Sequence, residues 1–432
     1  MKFINLHGHS SFSYGDGHKL PSHHVDTVKS VGMEALALTE HGNVSSHVQL
    51  EQAATKAGIK PIYGVEAYVA PEGVKPKFHQ TILATNKNGY RQLNRLVTRS
   101  YENFFYSPTV DPEWLLDPEA TSDLIVLSGC ADSWLSCLLA GGKSLGDRLV
   151  DGEDPSDEYK EELEARFEKA VTLAERFRDV YGDRYYLEVQ LFDNYERTCY
   201  LNQRIVEISD RTGIPIVATG DVHYPDPEDW EIQRLSNAIA WDTPVDVLAE
   251  RRDYSAGLCA YPRSDREVAE RLKKTGLSHA RIKEAILNTR KIADRCNVTL
   301  PKTSPVRFSG SDGTEENARA ILKQKIVEGI RYRQKTSEDF AKHFAANEKD
   351  YKARLQKELK VILYKEGFSD YFLVNWEIIG WAKDQGIAVG PGRGSAASSL
   401  VCYLLRLTEV NPMEFPQMVF ERFLDPGRED EP

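Results

Sequence analysis

The chain has 432 residues, 41% of them hydrophobic and 28% charged, with a formal net charge of −11; the balance suits a globular protein with sizeable cores, and the length suggests two or three domains. No apolar run approaches the roughly 20 residues that span a bilayer, and residues 1–9 lack the apolar stretch of a signal peptide, so a cytoplasmic protein without membrane contact is expected. The six cysteines (130, 137, 199, 259, 296 and 402) include no Cys-x-x-Cys pair, so neither a disulfide framework nor a zinc finger is indicated. The acidic balance argues against a surface coated by nucleic acid, although local basic grooves and bound cations would still set the field that a phosphate feels.

In chain order, short apolar runs predict strands over 3–6, 35–39, 62–69, 80–84, 124–128, 185–189 and 214–219. Amphipathic stretches between them predict helices over 22–31, 44–57, 87–101, 158–181 and 196–212. Seven strands with intervening helices predict an α/β fold, an irregular (β/α)7 barrel resembling a TIM barrel. An open doubly wound sheet is the alternative, but no Gly-x-Gly-x-x-Gly turn follows the first strand. Residues 226–275 read as a connector that closes the barrel, which puts the first domain at 1–275 and the second at 276–432. The second begins with a helix over 281–296, continues through a charge-laced helical stretch over 314–366 and a helix over 371–383, and ends with a strand over 387–389, a Gly-rich turn and the apolar run 396–405.

The placement of metal-competent side chains is the most informative feature. His7 and His9 stand two apart at the end of the first strand, where a period of two points both imidazoles the same way. Asp16 follows in a glycine-flanked loop, His41 after the second strand, Glu66 late in the third, and His79 at the opening of the fourth. Cys130 follows the fifth strand through a Ser-Gly turn, and Asp221 and His223, again two apart, follow the seventh. Most sit at the carboxyl end of a strand, the face on which parallel barrels build their active sites. Nine donors exceed the four that one structural zinc takes. Two or three divalent ions sharing bridging carboxylates would use them, and mixed imidazole and carboxylate ligands favour Zn²⁺, Mn²⁺ or Fe²⁺ over Mg²⁺. The histidines at 18, 23, 24, 47, 279 and 343 lie in helical or loop contexts and read as structural. Glu188, at another strand end, reads as a surface or core-edge residue more readily than as a group behind the ligands.

Leu6-His7-Gly8-His9-Ser10, Asp16-Gly17, Leu38-Thr39-Glu40-His41-Gly42-Asn43, Gly64-Val65-Glu66-Ala67-Tyr68, His79, Leu127-Ser128-Gly129-Cys130 and Gly220-Asp221-Val222-His223-Tyr224 resemble, in order, the motifs of the PHP (polymerase and histidinol phosphatase) family. The resemblance implies metal ligation by all nine residues and two-metal phosphoryl transfer. Within it, Glu66 bridges ions, His7, His9, Asp221 and His223 serve the catalytic pair, and the substrate is the 3′ end of DNA, as for a proofreading 3′–5′ exonuclease.

Val389-Gly390-Pro391-Gly392-Arg393-Gly394-Ser395-Ala396-Ala397-Ser398-Ser399-Leu400 reads as a strand, a Gly-rich turn and a helix start. Ser395 is placed to cap the helix, and the amides with Arg393 could hold an anion. It is not a Walker A loop, since no Gly-Lys-Ser/Thr follows. With Tyr371-Phe372-Leu373-Val374, Phe420-Glu421-Arg422-Phe423-Leu424, Phe104-Phe105-Tyr106 and the run 288–296, it resembles the palm of C-family bacterial replicative DNA polymerases, the polymerase III alpha type. Ser398 stands where that family usually has Gly, and Asp425-Pro426-Gly427-Arg428 replaces Asn-Pro-Glu-Arg. The resemblance implies a partial α+β palm in which Arg393, Gly394 and Ser395 hold a dNTP triphosphate. It also implies Mg²⁺ at a polymerase site whose Asp-x-Asp carboxylates fall beyond Pro432, on a further segment or a separate chain. DNA and replisome proteins such as the sliding clamp are the partners it implies. A stand-alone phosphatase and a non-catalytic polymerase scaffold are the competing readings.

Overall fold

The computed structural model describes residues 1–70, 77–140, 157–193, 196–250, 259–301 and 306–425. They divide into two compact units, Met1–Leu300 and Pro301–Pro432. The first is built on six strands in sequential order: β1 (Ala35–Leu38), β2 (Lys60–Val69), β3 (Phe78–Ala84), β4 (Leu124–Leu127), β5 (Tyr185–Gln190) and β6 (Ile216–Thr219). β1–β2, β4–β5 and β5–β6 pair in parallel, whereas β3 runs antiparallel to both of its neighbours. Residues 3–6, predicted as a strand, form no ladder strand. Residues 5–9 pair on both sides instead. Ala37 N donates to Asn5 O (2.9 Å) and Thr39 N to Gly8 O (2.8 Å); on the other side His9 N donates to Val222 O (2.6 Å) and Val222 N to His7 O (3.1 Å). This segment closes the ring between β1 and the chain beyond β6, giving the irregular seven-membered α/β barrel.

The barrel helices Pro21–Ser30, His47–Ala57, Lys87–Glu102, Asp157–Tyr181 and Glu196–Thr212 lie close to their predicted bounds. Their ends follow from local chemistry. Pro21 stands in the first turn of its helix, Asn86 accepts from the amides of Asn88 and Gly89, and Gly58 ends its helix at φ +72°.

Alternate strand residues separate two apolar layers. Leu36, Leu38, Tyr63, Val65, Ile82, Val126, Leu187 and Ile216 pack in the large cluster shared with the helices. Ile4, Leu6, Ala35, Ala37, Ile62, Leu83, Ile125, Leu127, Tyr186 and Val217 form a second cluster, joined by Ile292 and Ala293 of the helix His279–Arg295 and by Cys296, which follows it. That helix is tied to the barrel by Asn288 Nδ2, which donates to Ile216 O (2.7 Å). The first unit therefore runs to Leu300, whereas the sequence reading divided the chain at 275. Each large apolar side chain in the inner cluster stabilises the fold by about 1.5–3 kcal/mol. This layer underlies a set of buried polar groups whose own burial is unfavourable.

The second unit contains, among its described residues, the helices Glu315–Thr336, Glu338–Ala346, Glu348–Ile362, Phe368–Asp384 and Leu400–Leu404, with no strand. They pack around Leu322, Ile326, Phe340, Tyr351, Phe372, Leu400 and Tyr403. Residues 387–389, expected as the strand of a partial α+β palm, have no ladder partner and lie largely exposed; the amide of Ile387 donates instead to Ala382 O (2.9 Å) at the end of the preceding helix.

Candidate metal centre

The inner strand face changes character towards one end of the barrel. Two residues on from Tyr186 stands Glu188, two on from Val217 stands Thr219, and four on from Ile62 stands Glu66, all buried. β3 runs the other way, so Thr81 and then His79 precede Leu83 towards that same end, with His79 opposite Tyr68 in the register. This explains how His79 joins the cluster from the amino end of its strand. Cys130 arrives through Gly129 at φ +85°, where a Cβ would lie 2.6 Å from His79 O, so only glycine makes that turn.

The structure brings all nine predicted residues together. Glu66 is central. Its Oε1 faces His7 Nε2 and His79 Nδ1, both at 3.1 Å, and its Oε2 faces His41 Nδ1 at 2.8 Å and His9 Nε2 at 3.3 Å. Asp221 Oδ1 lies 3.4 Å from His7 Nε2 and 3.5 Å from His9 Nε2. Asp16 Oδ2 lies 3.1 Å from His41 Nε2 and 3.2 Å from His223 Nε2. Cys130 Sγ stands 3.4 Å from His79 Nδ1. Asp221 adopts φ +43°, a conformation uncommon for a non-glycine residue and frequent at functional sites.

The donor atoms fit a divalent cation. His7 Nε2, His9 Nε2, His41 Nδ1, both Glu66 oxygens and Asp221 Oδ1 are buried and face one another without hydrogen-bond geometry, an arrangement that a shared cation would satisfy. Three overlapping triads have donor atoms that all lie within 4.8 Å of one another: His7, His9 and Glu66; His9, His41 and His223; and His41, Glu66 and His79.

Electrostatics agree. Burial pushes the Glu66 and Asp16 carboxyls up, but the surrounding imidazoles, His79 and His7 at Glu66 and His223 at Asp16, outweigh it and hold both well below the usual carboxylate range. Asp221 is likewise lowered, burial being outweighed by His7 and His223. Burial opposes charge on His7 and His223, yet carboxylates raise both, Asp221 foremost at His7 and Asp16 at His223. Burial, reinforced by Glu66 and Asp221, pushes the Cys130 thiol well up. Burial, with His41 and His223 beside it, lowers His9 instead; a metal ion bound here would displace the protons that His7, His41 and His223 hold.

Several groups behind the ligands escaped the sequence reading. Glu188, read there as a core-edge or surface residue, is fully buried and touches His7. Asp16 Oδ1 accepts from Asn237 Nδ2 (2.9 Å) and Gln233 Nε2 (3.4 Å) of the helix Trp230–Ala240, and Asp221 Oδ2 accepts from Gln190 Nε2 (3.1 Å). The i, i+4 spacing of Gln233 and Asn237 was visible in the sequence, but nothing there said what that face meets.

In the second unit Arg393, Gly394 and Ser395 are exposed, with Gly394 at φ +60°. Ser395 lies inside a 3-10 turn and does not cap the helix. Ser399 is the cap, accepting from Cys402 N. The amides of Leu400 and Val401 donate to the buried carboxylate of Glu358 at 2.8 and 2.9 Å, so that helix start already holds an anion from within the chain.

Fold and ligand cluster together define the first unit as a PHP domain, and residues 5–191 match that family. Residues 321–432 match the bacterial DNA polymerase III alpha NTPase domain, so the chain carries a PHP domain followed by sequence of the polymerase III alpha kind. At 33% identity over 99% of its length it is similar to the DNA polymerase III subunit alpha of Treponema pallidum (strain Nichols) and to that of Escherichia coli (strain K12), covering 34% of each. The chain thus spans about a third of the length of these relatives. A solved chain from Bifidobacterium adolescentis, described as a metal-dependent phosphoesterase, is 18% identical over 51% of this chain and 87% of its own, with a TM-score of 0.26, too low to bear on the fold. Among the described residues no helix is long and apolar enough to cross a membrane.

Proposed function

We propose that the PHP domain is a metal-dependent phosphoesterase that removes nucleotides from the 3′ end of DNA, serving as the proofreading 3′–5′ exonuclease of a DNA replication protein in the cytoplasm. The observation that carries the reading is the convergence of buried donor atoms of His7, His9, His41, Glu66 and Asp221, which face one another without hydrogen-bond geometry. Two or three ions are proposed, held by His7, His9, Asp16, His41, Glu66, His79, Cys130, Asp221 and His223, with Zn²⁺, Mn²⁺ or Fe²⁺ suited to the mixed donors.

When bound, such ions activate a water for attack on phosphorus and neutralise charge on the phosphate oxygens. The residues' own part is positional. Each Glu66 oxygen faces two imidazoles, the arrangement of a bridging carboxylate. Asp221 Oδ1 faces His7 and His9, while Gln190 holds its other oxygen. His223 Nδ1 lies 2.8 Å from the Asp221 carbonyl and donates to it, so Nε2, which faces Asp16 Oδ2, is the nitrogen that would ligate.

The likeness to DNA polymerase III alpha subunits supports DNA, a dNTP and replisome proteins such as the sliding clamp as partners. It also supports a triphosphate site at Arg393, Gly394 and Ser395, with Mg²⁺ at a polymerase centre completed by further sequence. Since Glu358 occupies the amides of the helix start, the exposed turn itself would take the phosphates. The deciding experiment compares 3′-labelled single-stranded DNA with a small phosphomonoester, each with Mn²⁺ or Zn²⁺. Faster release from DNA supports the exonuclease, a preference for the monoester the phosphatase, and no hydrolysis with metal bound the scaffold.

A further inference from the structure

Ser13, 1% exposed, stands between two metal-competent histidines and the fully buried Glu40. Its hydroxyl oxygen lies 2.6 Å from Glu40 Oε2, 2.9 Å from His9 Nδ1 and 3.1 Å from the backbone nitrogen of His41. A serine hydroxyl has one proton to give and two lone pairs to receive, so these three contacts use all of its capacity. The backbone amide of His41 can only donate. Glu40 already accepts from the Ser10 hydroxyl at 2.6 Å and the Ser10 amide at 3.1 Å, and a carboxylate oxygen facing Ser13 at 2.6 Å also requires a donor. The Ser13 proton therefore points to Glu40, and the one place left is a lone pair facing His9. His9 must fill it with an Nδ1–H, which leaves Nε2 bare towards Glu66 and Asp221.

We propose that Glu40, acting through the Ser13 hydroxyl, is the positioning residue that fixes His9 as the Nδ1–H tautomer and keeps its Nε2 open to a divalent cation. This rests on reading the cluster as a metal centre. Carboxylates behind ligating imidazoles commonly act this way in direct contact; here a serine relays the effect and ties the His41 backbone into the same hydrogen-bond set.

Glu40→Gln tests the direction of the relay, because its shape is kept while an amide NH₂ can face Ser13. The Ser13 proton would then turn to His9 Nδ1 and move the imidazole proton to Nε2, onto the metal side. In the metal-free full chain, ¹⁵N-histidine NMR should show His9 protonated at Nδ1 in the wild type and at Nε2 in Glu40→Gln. Zn²⁺ affinity, read by competition with a chelator, should fall about tenfold or more in Glu40→Gln. Ser13→Ala removes the relay without reversing it, so His9 should become a mixture of tautomers and affinity should fall less; it carries the test if Glu40→Gln does not fold. A His9 tautomer unchanged in both variants, with Zn²⁺ affinity within about twofold of wild type, overturns the proposal. A wild-type chain that bound no Zn²⁺ would overturn the metal-centre reading and the cation half of this one, while the tautomer measurement would still decide whether Glu40 sets the His9 proton.

Discussion

His7 Nδ1 lies 2.7 Å from Glu188 Oε1, and neither side chain has any exposed surface. Glu188 also accepts from the hydroxyls of Thr219 at 2.5 Å and Thr81 at 3.2 Å, so it faces donors throughout and holds the His7 proton on Nδ1. That leaves His7 Nε2 towards Glu66 and Asp221. Glu188→Gln should lower Zn²⁺ affinity by about 10–100-fold while leaving the circular dichroism spectrum unchanged. Wild-type affinity in a folded Glu188→Gln chain would reduce the contact to packing.

More than one ion should bind per chain. Glu66 presents both oxygens to separate pairs of imidazoles, and two of the three overlapping donor triads include it. Elemental analysis after dialysis against metal-buffered solution should return at least about two ions per chain, beyond the four ligands one structural zinc takes. A value of one or below would sink the multinuclear arrangement.

The chain should degrade DNA from its 3′ end, and Asp221→Ala or His9→Ala should reduce the rate about a hundredfold or more by removing an ion or a key ligand. Asp221 sits at φ +43°, where alanine adds roughly 1–2 kcal/mol of backbone strain; Asp221→Asn, which tolerates that conformation, is the cleaner variant. His343, in the second unit and bonded to the Tyr351 hydroxyl, provides the control His343→Ala, which should change the rate little. Release of label from 3′-labelled single-stranded DNA, with circular dichroism on each variant, is the measurement. Full activity in folded Asp221→Asn would move the chemistry elsewhere.

Protons and metal should compete at His41. Burial by itself lowers its pKa, but Glu66 and Asp16 outweigh burial and raise it to about 9, from 6.5. The metal-free folded chain therefore binds this proton more tightly than the unfolded chain. Its contribution to stability is complete below about pH 6.5 and is lost as pH rises through about 9. Urea melts of the metal-free protein should show lower stability at the upper end of that window. Zn²⁺ binding should strengthen over the same range and release protons, readable by calorimetry at about pH 8 in buffers of different ionisation enthalpy. Binding without proton release would mean His41 is already neutral there.

Local chemistry in the sequence determined much of this protein. Short apolar runs placed six ladder strands, because strands buried on both faces are apolar nearly throughout, and amphipathic stretches placed the barrel helices, because burial of one face imposes a period of 3.6. Strand-end spacing singled out the nine donors, since alternation carries residues two apart to the same side. What faces what across the barrel was decided by the tertiary structure alone. Nothing in the run 185–190 shows that Glu188 meets a histidine 181 positions earlier in the chain. The direction of β3, which brings His79 to the shared end, depends on its neighbours. The packing of His279–Arg295 onto β6 moved the boundary between the units to Leu300. In the second unit, Ile387 to Val389 had the composition of a strand, but a strand exists only where another offers its hydrogen bonds. Glu358 likewise took the helix start that the sequence left open for an outside anion. Hydrogen-bond partners and buried charges are settled by distance in space, which sequence separation does not encode.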